Sequence, residues 1–84
     1  MHFCVGRVYE TDGFVRAVIQ ERRTKENAHV KDPEDLKYEF FYDEATFVNC
    51  TFDSLKEGDI VLFSLTHFDG KKVVDTIEVP RYDD

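Results

Sequence analysis

The sequence predicts an all-β fold, a small closed barrel of five antiparallel strands, and three observations lead to this prediction. Short runs of alternating apolar residues recur along the chain, turns that contain Gly separate several of them, and no long helical pattern interrupts them. A chain of 84 residues forms one domain with a modest core. We therefore expect one barrel over residues 1–80, with a charged loop at residues 20–37 and a charged tail at residues 81–84.

The first two strands are expected at residues 3–10 and 13–21, joined by a tight turn in which Asp12-Gly13 supplies the positive φ of a hairpin. Successive side chains of a strand point to opposite faces of the sheet. In the first strand the inward residues are Cys4, Gly6 and Val8, and the outward residues are Arg7 and Tyr9. In the second strand either alternating set can face the core, so its register stays open.

The charged stretch at residues 20–37 is expected to be a mobile excursion from the barrel. Ala28 and Val30 are its expected aliphatic anchors. Its end fits one helical turn, in which Asp32 is the N-cap and Pro33 takes the first helical position.

The third strand is expected at residues 38–43 and carries adjacent aromatic residues. An alternation that places Phe41 in the core leaves Phe40 and Tyr42 on the outer face. Rows of exposed aromatic residues beside cations bind single-stranded nucleic acid, because each base stacks for about 1–3 kcal/mol. The alternative is that these rings fill the core, as most aromatic side chains of a small domain do, since this chain has 8 Phe and 4 Tyr.

The last two strands follow a connection at residues 44–54 and a Gly-containing turn at residues 55–59. The fourth strand directs Val61, Phe63 and Leu65 inward, and a hairpin turn at residues 69–71 leads to the fifth strand at residues 72–79. The core expected from the whole pattern contains Val8, Phe41, Val61, Phe63 and Ile77.

A net charge of −7 argues against charge-driven attachment to nucleic acid or to an anionic membrane, because phosphate neutralisation needs clustered Lys and Arg. Any such binding has to rely on local geometry. No apolar run approaches the roughly 18 residues of a membrane span, and the N-terminus lacks the layout of a signal peptide. We therefore expect a cytoplasmic protein without a membrane partner, in which Cys4 and Cys50 are buried free thiols.

The sequence gives little support for catalysis or for a bound cofactor. The histidines His2, His29 and His67 and the two cysteines include no Cys-x-x-Cys and no His pair at ligand spacing. Neighbouring acidic pairs such as Glu34 and Asp35 point to opposite faces of an extended chain, and the chain has no Gly-rich phosphate loop or nucleophile elbow. We expect no metal, no cofactor and no enzymatic activity.

Four segments carry a pattern that extends over nearly the whole chain: Gly6-Arg7-Val8, Asp12-Gly13-Phe14-Val15-Arg16, residues 39–45 and residues 52–63. They resemble, in order, the opening Gly-Lys-Val, the Lys-Gly-Phe-Gly-Phe motif, the Val-Phe-Val-His-Phe-Ser-Ala motif and the Phe-x-x-Leu-x-Glu-Gly-x-x-Val-x-Phe segment of the cold-shock domain. That family has a five-stranded OB-type barrel and binds single-stranded RNA or DNA.

The resemblance implies a nucleic-acid-binding surface, in which Tyr9 partly replaces the family's first-strand Trp and Arg16 replaces the second Phe of the first motif. The implied binding residues are Arg7, Tyr9, Phe14, Arg16, Phe40, Tyr42 and Phe52. Asp12 and Asp43 depart from the family pattern and put negative charge beside the expected path of the strand. The charged loop contributes cations that either contact phosphates or only solvate the loop, namely Arg22, Arg23, Lys25 and Lys31.

Two functions follow from these observations. The first is single-stranded RNA or DNA binding with weak sequence preference, through aromatic residues on a sheet face. The second is a protein-interaction module on the same OB-type barrel, with nucleic-acid binding weakened or lost, because a fold does not fix a function and exposed aromatics also serve as interface anchors.

Overall fold

The computed structural model describes residues 3–80, which form one curled sheet of six β-strands. The strands are β1 (Phe3–Thr11), β2 (Arg16–Glu21), β3 (Lys37–Phe41), β4 (Thr46–Val48), β5 (Ile60–Phe68) and β6 (Lys71–Glu78). Two short 3-10 helices lie at Pro33–Leu36 and Phe52–Ser54, and this part of the chain contains no α-helix. The predicted all-β class is confirmed. The charged tail expected at residues 81–84 lies outside the described residues.

The strand order in the sheet is β3-β2-β1-β5-β6-β4, and all neighbouring pairs are antiparallel except the parallel pair of β4 and β6. The sheet curls so that β3 approaches β6, but no hydrogen-bonded ladder joins these two strands within residues 3–80. A cleft of about 410 Å³ lies between them, with Phe40 on one side and Val74 and Asp75 on the other. We call this boundary the β3–β6 seam. The sheet is therefore not closed into a barrel by backbone hydrogen bonds at this seam.

Strand β4 lies in a segment that the sequence predicted to be a connection. It has three residues and pairs in parallel with Thr76, Ile77 and Glu78 of β6. A period-two pattern needs about four residues before it predicts a strand. This short strand could therefore not be recognised from alternation, and it accounts for the sixth strand.

The register of β3 is opposite to the one predicted. Phe40 is 1% exposed, whereas Phe41 is 40% exposed. In the β2–β3 ladder Phe40 lies opposite Ala17, which is fully buried, and Phe41 lies opposite Arg16. Because the side-chain period of a strand is two, a shift of one residue exchanges the faces. The predictions that Phe41 enters the core and that Phe40 faces outward are both wrong.

The remaining core prediction is confirmed, because Val8, Val61, Phe63 and Ile77 are all buried. Alternation in β5 identified two of these residues correctly. The buried cluster draws on every strand except β4, together with the second 3-10 helix, and its members are Val8, Ala17, Ile19, Phe40, Phe52, Leu55, Val61, Phe63, Val74 and Ile77. Phe47 of β4 is half-buried and packs against this cluster.

Gly6 lies where β1 passes closest to both of its neighbouring strands. A Cβ atom at this position would lie 2.6 Å from the carbonyl oxygen of Gln20 on β2 and 2.8 Å from the ring of Phe63 on β5. The contact with Gln20 is to backbone, which cannot move aside without breaking the β1–β2 ladder. Glycine is therefore the residue that fits this crossing point.

The charged segment is anchored by a polar residue. Asn27 is 7% exposed. Its Oδ1 accepts from the backbone N–H of Thr24 at 2.8 Å, and its Nδ2 donates to the Arg22 carbonyl at 3.0 Å and to the Glu21 carboxylate at 3.1 Å. A buried side chain that forms three hydrogen bonds fixes the start of the segment to the end of β2.

The aliphatic anchors of this segment differ from those predicted. Ala28 is exposed and Val30 only half-buried, whereas Leu36 is buried at the end of the 3-10 helix. The predicted cap is confirmed, because the Asp32 side chain accepts from the backbone N–H of Glu34 at 3.0 Å, next to Pro33 in the first helical turn.

No helix within residues 3–80 is long and apolar enough to cross a membrane. Cys4 and Cys50 are unpaired and half-buried. Burial raises the pKa of both thiols above the ordinary cysteine value. Both side chains therefore stay protonated near neutral pH.

Candidate nucleic-acid interface

The outer face of strands β1, β2 and β3 holds three of the seven predicted binding residues, Arg7, Tyr9 and Arg16. Ladder pairs place Arg16 beside Phe41, Gln20 beside Lys37, and Arg7 beside Gln20. We call this surface the outer sheet face and define it by Arg7, Tyr9, Arg16, Lys37, Glu39 and Phe41. This surface therefore combines three cations and two aromatic rings with the carboxylate of Glu39.

Tyr9 is exposed on this face and is held by a neighbouring cation. The ammonium nitrogen of Lys37 lies 3.8 Å from the centroid of the Tyr9 ring, which is a cation–π contact. The same nitrogen donates to the Glu34 carboxylate at 2.7 Å. The hydrogen bond to Glu34 is the main reason that the pKa of Lys37 is raised, and Tyr9 adds to this effect. This pair could not be predicted from the sequence, since Tyr9 and Lys37 are far apart along the chain.

Arg16 lies on the outer sheet face, the position that the cold-shock resemblance implied, but its charge is already paired. Its Nε donates to the Glu39 carboxylate, and its Nη1 lies 3.9 Å from the Glu10 carboxylate. These two acidic residues leave little net positive charge for a phosphate. The planar guanidinium beside Phe41 can still offer a stacking surface.

Phe14 is the most exposed aromatic residue within residues 3–80, at 80%, and a fixed turn presents it to solvent. Oδ1 of Asp12 accepts from the backbone N–H groups of Phe14 at 2.8 Å, Val15 at 2.9 Å and Arg16 at 3.1 Å. These hydrogen bonds lower the pKa of the Asp12 carboxyl, chiefly through the Phe14 amide. Because these hydrogen bonds hold the residues before Arg16 in a turn, β2 begins at Arg16 and not at residue 13 as predicted. Asp12 thus orders the turn, a role that its charge alone did not suggest.

Two residues predicted to stack on bases are core residues instead. Phe40 and Phe52 are both buried, with their ring centroids 6.0 Å apart in an edge-to-face arrangement. Phe47 completes this aromatic cluster, 6.3 Å from Phe40 and 6.1 Å from Phe52. Neither Phe40 nor Phe52 is available to a base in this fold, so the predicted four-residue stacking surface is corrected.

Tyr42 connects the buried cluster with the surface. It follows β3 in a turn, it is exposed, and the edge of its ring packs 6.4 Å from Phe52. Its backbone N–H donates to the Val15 carbonyl at 2.9 Å, which brings the turn after β3 to the turn before β2. Phe14, Val15, Phe41 and Tyr42, all exposed, therefore occupy one end of the sheet, and we call them the aromatic end.

The remaining predicted residues are placed as follows. Arg7 is exposed on β1, opposite Gln20 on one side and Ile60 on the other. Asp43 is exposed in the turn that follows β3. Within residues 3–80 no group of three or more His, Cys, Asp or Glu side chains could hold a metal ion, and His2 lies outside that range.

Comparison with protein-family models, with curated proteins and with solved structures gives no match. The likeness to cold-shock domains therefore stays a prediction from the sequence motifs.

Proposed function

We propose that this domain is an OB-type module that binds single-stranded RNA or DNA with weak sequence preference. Bases stack on the aromatic end and on Tyr9, and arginines of the outer sheet face contact the backbone. The observation that carries the proposal is the exposure of Tyr9, Phe14, Phe41 and Tyr42 around three strands that also present Arg7 and Arg16. Sheets that bind single strands combine these two kinds of residue.

The charge of the surface sets the expected strength of binding. Arg16 and Lys37 are paired with Glu39 and Glu34, so they neutralise few phosphates. Stacking then supplies most of the binding free energy, at about 1–3 kcal/mol per base. We expect modest affinity and a shallow dependence on salt, at about 0.7 per phosphate neutralised on a single strand.

Phe14→Ala is expected to weaken binding of a short oligothymidylate by about 5- to 150-fold, the loss of one stacked base. Fluorescence anisotropy of the labelled oligonucleotide measures this change. Phe68→Ala is the control for loss of an exposed ring outside the proposed stacking surface, because Phe68 is 73% exposed and lies at the end of β5, where it borders the β3–β6 cleft. Equal losses in the two variants, or no binding by the folded wild type at low salt, would rule out the proposal.

A second candidate function is protein binding by the aromatic end. The observation that favours it is that Glu39 and Glu10 already pair with Arg16, the cation nearest these apolar side chains along the ladder. A net charge of −7 also opposes a polyanion. Exposed aromatic residues without free cations beside them are typical anchors of protein interfaces.

Asp43→Lys separates the two functions. Asp43 is exposed beside Tyr42, so a cation at this position would attract a strand that passes over the aromatic end. We expect tighter oligothymidylate binding and a steeper salt dependence for this variant. An unchanged or weaker affinity in the same anisotropy titration would favour protein docking.

A further inference from the structure

A groove of about 250 Å³ lies beside β1 and β2, away from the aromatic end, and arginines surround it. Arg7, Arg22 and Arg23 line the groove, Val5 and Ile60 form its apolar walls, and Gln20 adds a side-chain amide. Its volume is several times the share of one liquid water, about 30 Å³. A small anion therefore fits between the arginines.

Hydrogen bonds fix the backbone that presents these arginines. The N–H of Arg22 donates to the Val5 carbonyl at 2.8 Å, and the Arg22 carbonyl accepts from Asn27 Nδ2 at 3.0 Å. Nη1 of Arg23 donates to the Asn27 carbonyl at 3.0 Å and to the Val30 carbonyl. Buried Asn27 thus organises both residues before any ligand arrives, which reduces the entropic cost of binding.

The groove concentrates positive charge in an acidic protein. The chain has a net charge of −7, yet three of its 11 Lys and Arg residues line this groove. Neither Arg7 nor Arg22 pairs with a carboxylate within residues 3–80. Glu21 also borders the groove, but its carboxylate accepts from Asn27 Nδ2 at 3.1 Å. As far as the described part of the chain is concerned, the guanidinium groups of Arg7 and Arg22 are therefore available to an anion.

We infer that this groove is a phosphate site, which holds the sugar-phosphate backbone of the same single strand whose bases stack on the aromatic end. This inference rests on the proposed function. A guanidinium presents paired N–H donors that match two phosphate oxygens, so each arginine can hold a phosphate through two parallel hydrogen bonds.

The spacing along β2 supports a continuous path. Arg16 and Gln20 lie on the same face, four residues or about 13 Å apart, and Gln20 is beside Arg7. A strand that leaves the aromatic end along the outer sheet face therefore reaches the groove within a few nucleotides.

The test compares two variants that remove the same charge. Arg7→Gln/Arg22→Gln removes the two guanidinium groups of the groove that pair with no carboxylate of residues 3–80, and Lys56→Gln/Lys71→Gln removes two exposed cations elsewhere. Oligothymidylate affinity is measured against salt concentration, with circular dichroism as a check of folding. The slope of log K against log salt is expected to fall by about 1.4 in the groove variant, for two phosphates, and to stay at the wild-type value in the control.

A wild-type slope in the groove variant, with oligonucleotide binding intact, would overturn the phosphate site and leave the proposed function standing. A second probe, inorganic pyrophosphate, is titrated while backbone amide resonances are recorded. If oligonucleotides do not bind but pyrophosphate shifts the amides of residues 5–7 and 20–23 in the wild type alone, the phosphate site holds for small phosphate compounds and the proposed function fails. No response to either probe overturns both.

Discussion

Phe40→Ala is expected to lower the free energy of unfolding by about 3–5 kcal/mol, the usual cost of removing a buried phenylalanine. Phe40 is 1% exposed and contacts the rings of Phe47 and Phe52 across the end of the core. Phe47 lies in β4 and Phe52 in the second 3-10 helix, so neither ring can fill the cavity unless its backbone shifts. A small domain has only about 5–15 kcal/mol of stability, so urea denaturation should show a large shift of the midpoint.

Phe41→Ala is the matched control, because it removes the same side chain one residue further along β3. Phe41 is 40% exposed, so we expect a loss below about 1 kcal/mol. The difference between the stability losses of Phe40→Ala and Phe41→Ala shows which of the two phenylalanines is buried, and so which register β3 has. A larger loss from Phe41→Ala than from Phe40→Ala would mean that the two faces of β3 are exchanged.

Phe63→Ala is the second variant with a large expected effect, again about 3–5 kcal/mol. Phe63 is fully buried in the middle of β5, opposite Cys4 of β1 and Ile77 of β6, and its ring centroid lies 5.9 Å from that of Tyr38. Removal of its ring therefore leaves a cavity that is bordered by β1, β3 and β6 as well as by β5. Phe68→Ala on the same strand serves as the control.

Thermal and urea unfolding should rank the two β5 variants by exposure, since Phe68 is 73% exposed. A loss below about 1 kcal/mol for Phe63→Ala would contradict the assigned register of β5. Phe63→Ala also removes one of the close contacts that a side chain at position 6 would make, namely the contact with the Phe63 ring.

Val8 of β1 and Ile77 of β6 could be predicted as inward because polar or amphipathic residues flank each of them, Arg7 and Tyr9 on one strand and Thr76 and Glu78 on the other. In β3 two phenylalanines are adjacent, so alternation within the strand permits either register. The preceding residues carry the missing information. Leu36, Tyr38 and Phe40 form one alternating set, and Leu36 and Phe40 are buried with Tyr38 half-buried. Extending the pattern back to Leu36 selects Phe40 as the inward residue.

The candidate site was only partly predictable. Exposure of Arg7 and Tyr9 followed from alternation, whereas exposure of Phe14 was implied only by the resemblance to the cold-shock motifs. Burial of Phe52 did not, because it depends on a 3-10 helix that packs against rings from β3 and β4.

The groove lined by Arg7, Arg22 and Arg23 could not be predicted for a related reason, although phosphate contact by the arginines of the charged loop was one of the two alternatives. It depends on Asn27, a polar residue in a charged segment, which turns inward only because Glu21, Arg22 and Thr24 supply its partners. The composition of the charged segment is typical of a solvated loop, and it does not indicate that Asn27 is a buried structural residue.

At the β3–β6 seam the sheet is held together more weakly than between its other neighbouring strands. Elsewhere each strand of the sheet is joined to its neighbour by backbone hydrogen bonds, but at the seam cohesion depends on side chains such as Phe40 and Val74. Backbone ladders separate cooperatively, whereas a contact between side chains can part and close again without disrupting the strands on either side. The sheet can therefore open along this line while β1, β2 and β5 stay intact, and the aromatic end, which adjoins β3, would move with the opening edge.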